Sequence, residues 1–234
     1  MSDKISNWAN ANPGAVVLIF IGIVLQGIFL VLQHAHGPLL VIEASELTSY
    51  DMISFLSGLL GVFAVVLCSQ RKLISYAFGI AQILTYLVIV WQECLWAKVG
   101  ENIFYLITMI IGFFIWNKHY DYDKVKTNGL GISNMLLMIF YVIAGSFLIG
   151  YGLMFTNDVH PFFDAFTTLP AFVAQFLMIF RYREQWIFWL ITDIGCLILW
   201  MIIGNWCMVA QYIFWIANCF YGWYKWSDYE THQI

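Results

Sequence analysis

The sequence predicts an all-α polytopic membrane protein. Of its 234 residues, 62% are hydrophobic and only 10% are charged, and the mean hydropathy is +0.80. A water-soluble domain carries about 25% charged residues, so much of this surface must face lipid. The apolar residues also form stretches of about twenty, the length that an α-helix needs to cross the hydrocarbon core of a bilayer.

The chain divides into a polar start and eight predicted transmembrane helices. Residues 1–13 are too polar for the bilayer and lack the pattern of a cleavable signal, so we expect the N-terminus to be retained. A loop that contains His34, Pro38, Glu43 and Glu46 separates the first two spans. The predicted spans are residues 14–33, 51–69, 73–92, 101–117, 132–155, 162–180, 185–204 and 207–226. Short joints at residues 69–72 and 204–206 predict antiparallel neighbours.

The basic residues indicate the orientation of these helices. With eight crossings, both termini and every second loop lie on one side of the membrane. That side holds nine of the ten Lys and Arg residues, and Lys98 alone is assigned to the other side. Basic residues concentrate in cytoplasmic loops, so we predict that both termini are cytoplasmic.

An internal repeat appears when the chain is compared with itself at an offset of 110 residues. Arg71 aligns with Arg181, Gly112 with Gly222 and Trp116 with Trp226, among nine identities in a gap-free overlap of 46 residues. Shared apolar composition is the alternative explanation. It does not account for glycine, arginine and tryptophan coinciding in register, so we interpret the pattern as a duplication.

The duplication predicts one helix followed by a 3+1+3 core. A single helix between two triplets gives both triplets the same orientation, which is the parallel, SWEET-like repeat of some small transporters. Substrate sites in such folds lie at the repeat interface near the midplane. The predicted divisions are an N-terminal segment (1–50), a first repeat (51–117), a connector with one helix (118–160), a second repeat (161–228) and a cytoplasmic tail (229–234).

Asp193, near the middle of the seventh span, is the first site candidate. An ionisable side chain at that depth costs several kcal/mol unless it has a partner or a function. Trp186, Trp189 and Asp193 follow at helical offsets of three and four, so two indoles and a carboxylate share one stripe. Such a stripe suits a flat cationic ligand. Alternatively, the indoles are packing or interfacial residues and Asp193 bonds a neighbouring helix.

Polar residues also recur on one face of the last helix of each triplet. These faces comprise Glu101, Tyr105, Thr108 and Gly112 in the first repeat, and Gln211, Trp215, Asn218 and Gly222 in the second. The second helix of the first repeat adds Ser75, Gly79, Gln82 and Tyr86. Buried amides and hydroxyls also join helices to one another, which is the alternative role for these residues.

The residue types argue against a metal site, a cofactor or catalysis. The five cysteines are scattered without metal-ligand spacing, and all five histidines lie in loops or the tail. An enzyme would need a nucleophile with a base, or metal ligands, at one depth. Apart from Asp193, the acids nearest the membrane interior are Glu93 and Glu101, which the span limits assign to the outer rim. We therefore expect a transporter with no metal and no cofactor.

Two motifs resemble the PnuC family of nicotinamide riboside transporters. Trp186-Ile-Phe-Trp189 is similar to the family's W-x-x-W motif, and Asn218-Cys-Phe-Tyr221 to its N-x-x-Y motif. The resemblance covers residues 51–228 and includes the ending at residues 222–226. It implies a homotrimer in the bacterial inner membrane that moves the riboside by facilitated diffusion, with a cytoplasmic kinase that phosphorylates and traps the product.

The resemblance also implies binding residues. The family motifs fall on Trp186, Trp189, Asn218 and Tyr221, with Gln82 as a polar partner from the other repeat. The two polar faces and the indole stripe complete the candidate set with Asp193, Thr108 and Trp215. A cation over a desolvated indole gains about 2 kcal/mol, which fits a pyridinium.

Two further expectations concern selectivity and energetics. The predicted spans place no Lys or Arg near the midplane, so a phosphorylated riboside should be refused. They contain no acid pair or histidine chain for ion coupling, so transport should equilibrate the substrate. A SWEET-like transporter of a sugar or another vitamin is the alternative, although the Pro-Gln signature of that broader group is missing because Ala171 follows Pro170.

Overall fold

The computed structural model describes residues 2–33, 48–121, 124–155 and 161–231. Within these ranges the chain is almost entirely helical. The helices are α1 (Ser2–Ala11), α2 (Pro13–Gln33), α3 (Ser49–Ser69), α4 (Ser75–Gln92), α5 (Trp96–Lys118), α6 (Ile132–Leu153), α7 (Pro161–Ile179), α8 (Gln185–Ile203) and α9 (Trp206–Thr231). A hairpin of β1 (Tyr120–Asp121) and β2 (Lys124–Val125) follows α5. The predicted loop at residues 34–47, His160, and residues 232–234 of the predicted tail lie outside the described residues.

Seven of the described helices, α2 to α8, are long and apolar enough to cross a membrane, and they match the first seven predicted spans. The predicted all-α membrane fold is therefore confirmed. The eighth predicted span coincides with α9, which has 26 residues and is long enough to cross. Polar side chains such as Gln211 and Asn218 make α9 less apolar than the others, so the count of eight spans stays a prediction.

Local sequence explains where several helices begin and end. Thr48 caps α3, because its Oγ1 accepts a hydrogen bond from Asp51 N at 3.2 Å and its N–H donates to Asp51 Oδ2 at 2.9 Å. Gly204 ends α8 with a φ of 85°, and its N–H donates to Trp200 O at 2.9 Å. Only glycine adopts that conformation without strain, so the short joint to α9 depends on it.

The helices surround a common interior. α3 packs against α2, α4 and α9, while α8 packs against α7 and α9. α5 links the two groups because it contacts both α4 and α7. α6 packs on the outside of α7, and most of its large side chains are exposed, as expected for a helix that faces lipid. This arrangement leaves α3, α4, α5, α7, α8 and α9 to enclose the centre.

Residues 110 positions apart make matching contacts. Trp116 Nε1 donates to Met178 O at 2.9 Å, and Trp226 Nε1 donates to Cys68 O at 3.2 Å. The two donors are 110 residues apart, and so are the two acceptors. Each indole therefore ties one predicted repeat to the other.

The turns after α3 and α7 match in the same way. Arg71 and Arg181 adopt left-handed backbone conformations with φ values of 59° and 67°. The connector runs between them, since Val125 N donates to Arg71 O at 3.1 Å and Asn128 N donates to Arg181 O at 2.8 Å. These contacts support the predicted repeat, which stays a prediction.

Candidate functional site: an aromatic cavity between the helices

A cavity of about 140 Å³ lies inside the helix bundle. Its described wall comes from α3, α4, α5, α7, α8 and α9. Ten pairs of wall residues are separated by 110 positions, among them Gln82 with Thr192 and Tyr105 with Trp215. The cavity therefore lies where the two predicted repeats meet, at the position that the repeat predicts for a substrate site.

The indole and carboxylate stripe of α8 forms one side of this cavity. Trp186, Trp189 and Asp193 all line it. Asp193 is only 3% exposed, and its hydrogen-bond partner among the described residues is the Cys219 thiol, with Sγ 3.6 Å from Oδ2. A thiol is a weak donor. The structure thus gives this carboxyl group no stronger donor among the described residues.

The aromatic side chains of the wall differ in how much of their surface is free. Trp186 is buried, and its ring meets that of Trp226 edge-on with centroids 5.9 Å apart. Trp189 is half-buried and meets Tyr105 edge-on at 5.9 Å. Trp215 packs edge-on against Tyr212 at 5.1 Å. Trp189 and Trp215 are thus less buried than Trp186.

Several buried donors on the wall have no hydrogen-bond acceptor within the described part of the chain. They are the indole N–H groups of Trp186 and Trp215 and the hydroxyl of Tyr76. Buried polar groups are normally paired, so three such donors around one cavity point to a ligand or water that completes them. All three can donate to carbonyl or hydroxyl oxygens.

The two predicted amides have different surroundings. Gln82 lines the cavity, and its side chain makes no hydrogen bond to the described residues. Asn218 also lines the cavity, but its Oδ1 accepts from Ser69 Oγ at 3.2 Å and its Nδ2 donates to Val65 O at 3.3 Å. Asn218 therefore joins α9 to α3 as well as facing the cavity, as the alternative role for polar residues allowed.

Two predicted site residues lie away from the cavity wall. Tyr221 lies almost one helical turn beyond Asn218. There it accepts a hydrogen bond from Gln70 Nε2, at the end of α3, at 2.5 Å. Thr108 accepts a hydrogen bond from Gln175 Nε2 at 2.9 Å. Gln175 itself lines the cavity. Thr108 thus contacts the interior through Gln175, and the structure brings together the other six predicted residues.

The structure corrects the expectation that no Lys or Arg lies near the site. Lys98, in the first turn of α5, and Glu101, which was assigned to the outer rim, both line the cavity and are buried. The side of the membrane assigned to Lys98 stays a prediction. Lys98 Nζ lies 2.7 Å from Glu101 Oε2, and Tyr105 OH donates to Glu101 Oε1 at 2.5 Å. A signal that could have placed them is the spacing from Lys98 to Glu101 to Tyr105, three and then four residues, which puts all three on one helix face.

Other wall residues were missed by sequence reasoning. Thr192 and Tyr212 are equivalent to Gln82 and Asn102 at the offset of 110, so the repeat itself could have identified them. Tyr212 OH lies 3.0 Å from Tyr86 OH. The repeat gave no such signal for Gln175, because the residue 110 positions before it is the apolar Val65. No cluster of three or more His, Cys, Asp or Glu residues suited to a metal occurs within the described ranges.

A bundle of membrane-crossing helices around a polar, aromatic-lined cavity defines a multi-pass membrane transporter. The family can be named from the sequence. The family model described as "Nicotinamide mononucleotide transporter" matches residues 51–228, and the chain belongs to this family. The match confirms both the predicted resemblance and the prediction of a transporter rather than an enzyme.

Proteins of similar sequence, and one solved structure of similar fold, match most of this chain. The chain is 28% identical over 185 residues to "Nicotinamide riboside transporter PnuC" from Haemophilus influenzae, which covers 77% of this chain and 81% of the relative. It is 25% identical over 188 residues to the protein of that name from Neisseria mucosa, with 75% and 72% covered. The crystal structure of the vitamin B3 transporter PnuC superposes with a TM-score of 0.76 at 22% identity and covers 93% of this chain and 92% of that one. These bacterial relatives and the apolar helices support a multi-pass protein of a bacterial inner membrane.

Proposed function

We propose that this chain carries nicotinamide riboside across the bacterial inner membrane. The observation that carries the proposal is the α8 wall, where Trp186, Trp189 and Asp193 face one cavity. The riboside has a flat pyridinium cation. An indole face attracts such a cation by about 2 kcal/mol when water is excluded, and a nearby carboxylate adds charge attraction.

The polar groups of the wall suit the rest of this substrate. Gln82 and the unpaired indole N–H of Trp215 offer donors, and Gln82 also offers an acceptor. A carboxamide and ribose hydroxyls need such a mixed set. The names of the relatives from Haemophilus influenzae and Neisseria mucosa support the same substrate.

The transport mode, the assembly and the topology belong to the same proposal. The protein works by facilitated diffusion, and a cytoplasmic kinase traps the product by phosphorylation. It forms a homotrimer, with both termini in the cytoplasm and the 3+1+3 core at residues 51–228. The basic-residue pattern supports the orientation, and the paired indole hydrogen bonds of Trp116 and Trp226 support the repeat.

Uptake of radiolabelled nicotinamide riboside into proteoliposomes tests this proposal. We expect time-dependent uptake that unlabelled riboside blocks and that ribose and glucose do not block, with the label recovered chemically unchanged. Trp189→Ala should reduce uptake, while Ile198→Ala, on the exposed side of the same helix, should not. Block by a sugar would favour the SWEET-like alternative, and an altered product would indicate an enzyme.

A further inference from the structure

The buried ion pair of Lys98 and Glu101 has no role in the cation stacking described above. Both side chains line the cavity, with only 9% and 4% of their surfaces exposed. The two carboxylate oxygens of Glu101 are both occupied, Oε2 by Lys98 Nζ at 2.7 Å and Oε1 by Tyr105 OH at 2.5 Å. The ion pair is therefore an ordered part of the cavity wall.

The position of Lys98 makes this pairing necessary. Lys98 lies in the first turn of α5, where the helix dipole disfavours a positive charge. Burial also penalises an unpaired ion, because it loses its hydration. Among the described residues, Glu101 is the acceptor that the structure gives to Lys98 Nζ. Glu101 thus neutralises a cation that faces the substrate cavity.

The charged residues of the described wall are Lys98, Glu101 and Asp193. Since Glu101 is bound to Lys98, a ligand meets the remaining carboxylate of Asp193. This field favours a cationic nucleoside. It disfavours the phosphomonoester of the same nucleoside, whose phosphate would need a free cation.

We propose that Glu101 is a specificity-determining residue, because it occupies Lys98 and so prevents the cavity from binding a phosphorylated nucleoside. Without Glu101, Lys98 becomes a phosphate ligand. The cavity then changes from one that prefers the riboside to one that tolerates the mononucleotide. Other basic residues offer no replacement, because Arg71 and Arg181 lie in turns outside the described wall.

Glu101→Gln tests this role with little change of shape. Binding of nicotinamide riboside and of its mononucleotide is measured by calorimetry on the purified full-length protein. We expect the wild type to prefer the riboside by at least about a hundredfold. In Glu101→Gln, riboside affinity should fall at least threefold and mononucleotide affinity should rise at least tenfold. The double variant Lys98→Met/Glu101→Gln should lose the gain, and Glu101→Asp, which keeps the charge, should show none.

An unchanged mononucleotide affinity in a Glu101→Gln protein that still binds the riboside overturns the proposal. If Glu101→Gln does not fold, the riboside affinity of Lys98→Met tests the proposal instead. Removing the positive charge should raise that affinity two- to tenfold. A purely structural pair would instead lower it. Because this role rests on the proposed function, riboside uptake by the wild type is measured first. A wild type that carries no riboside contradicts the proposed function. If the wild type carries the riboside but Glu101→Gln gains no affinity for the mononucleotide, only the role of Glu101 is contradicted.

Discussion

Trp186 and Trp189 lie three residues apart on α8 but have different surroundings. Trp186 is buried against Gly222 and Trp226, whereas Trp189 is half-buried and is held at its edge by Tyr105. The same residue type therefore has two environments on one helix face. Both indoles line the cavity, and we expect Trp189, the less buried of the two, to stack on the substrate.

Replacing Trp189 tests the stacking. Trp189→Ala should weaken riboside binding by about 1 to 2 kcal/mol, because the cation loses its indole partner. Trp189→Phe keeps an aromatic face and should lose less. Isothermal titration on both variants measures the difference, and equal losses would remove stacking as the cause.

Asp193 is expected to act through its charge. Asp193→Asn keeps the shape and removes the carboxylate that faces the cavity with a thiol as its hydrogen-bond partner. Riboside affinity should fall about tenfold, equivalent to about 1.4 kcal/mol. The uncharged dihydronicotinamide riboside serves as the control ligand and should bind both proteins within about twofold. A parallel loss for both ligands would show that the site was distorted.

The sequence predicted the α8 side of the site and part of the remainder. Helical spacing was sufficient for Trp186, Trp189 and Asp193, since residues on one stripe of one helix face the same way. It was insufficient for Lys98, because a basic residue at a helix end is normally at the membrane surface. Only the packing of α5 against the neighbouring helices shows that the Lys98 side chain is buried.

At the scale of helices, glycines let neighbouring helices approach each other closely. A Cβ atom placed on Gly222 would lie 2.4 Å from Trp186 Cε2, and one on Gly112 would lie 2.7 Å from Tyr76 OH. The two glycines are equivalent at the offset of 110, and so are the two aromatic residues. In each predicted triplet, an aromatic ring of the second helix therefore packs against a glycine of the last helix, as small residues permit in membrane bundles.

Gly222→Ala should disturb the site through α9. The added methyl group would push the Trp186 ring, which is already confined by Trp226, so riboside affinity should fall at least tenfold and stability by about 1 to 3 kcal/mol. Gly152→Ala in α6 is the matched control because nothing lies within 4 Å of its added methyl group. Calorimetry and thermal unfolding in detergent measure both effects. Unaltered binding in Gly222→Ala would mean that the position of Trp186 is unimportant.

The helix outside the predicted repeat also has a defined contact. Gln26 of α2 is fully buried beside Gly58. In the amide orientation that matches donors to acceptors, Nε2 donates to Cys207 O at 3.2 Å and Oε1 accepts from Gln211 N at 3.1 Å. Sequence hydropathy identified this span but not its partner, because one polar residue in an apolar helix does not show which neighbour it meets.

Removing this amide should loosen α2 from the core. Gln26→Ala deletes two buried hydrogen bonds and leaves a gap beside Gly58, so the free energy of unfolding should fall by about 1 to 3 kcal/mol. Phe20→Leu, at a lipid-facing position that is 67% exposed, should change it little. Thermal unfolding of the two variants makes the comparison. Equal stability would indicate that α2 attaches through its apolar side chains alone.

At the scale of the whole molecule, the predicted spans and the observed helices agree, but crossing helices do not reveal how transport is driven. A coupled transporter needs a group whose occupancy by a proton or sodium ion alternates during the cycle. Of the two carboxylates on the described wall, Glu101 is already bound by Lys98 and Tyr105. Under the proposed function, Asp193 meets the cationic substrate itself. We therefore expect the substrate to take the position that a driving ion would need.

Transport should accordingly equilibrate the riboside. In proteoliposomes with an imposed proton or sodium gradient, internal riboside should rise only to the external concentration. With a riboside kinase and ATP sealed inside, label should accumulate beyond that level as mononucleotide, because phosphorylation removes the free substrate and the paired Lys98 gives the phosphate no free cation in the cavity. Vesicles that contain kinase without ATP are the control. Accumulation driven by either gradient in kinase-free vesicles would show that Asp193 or another group carries a coupling ion.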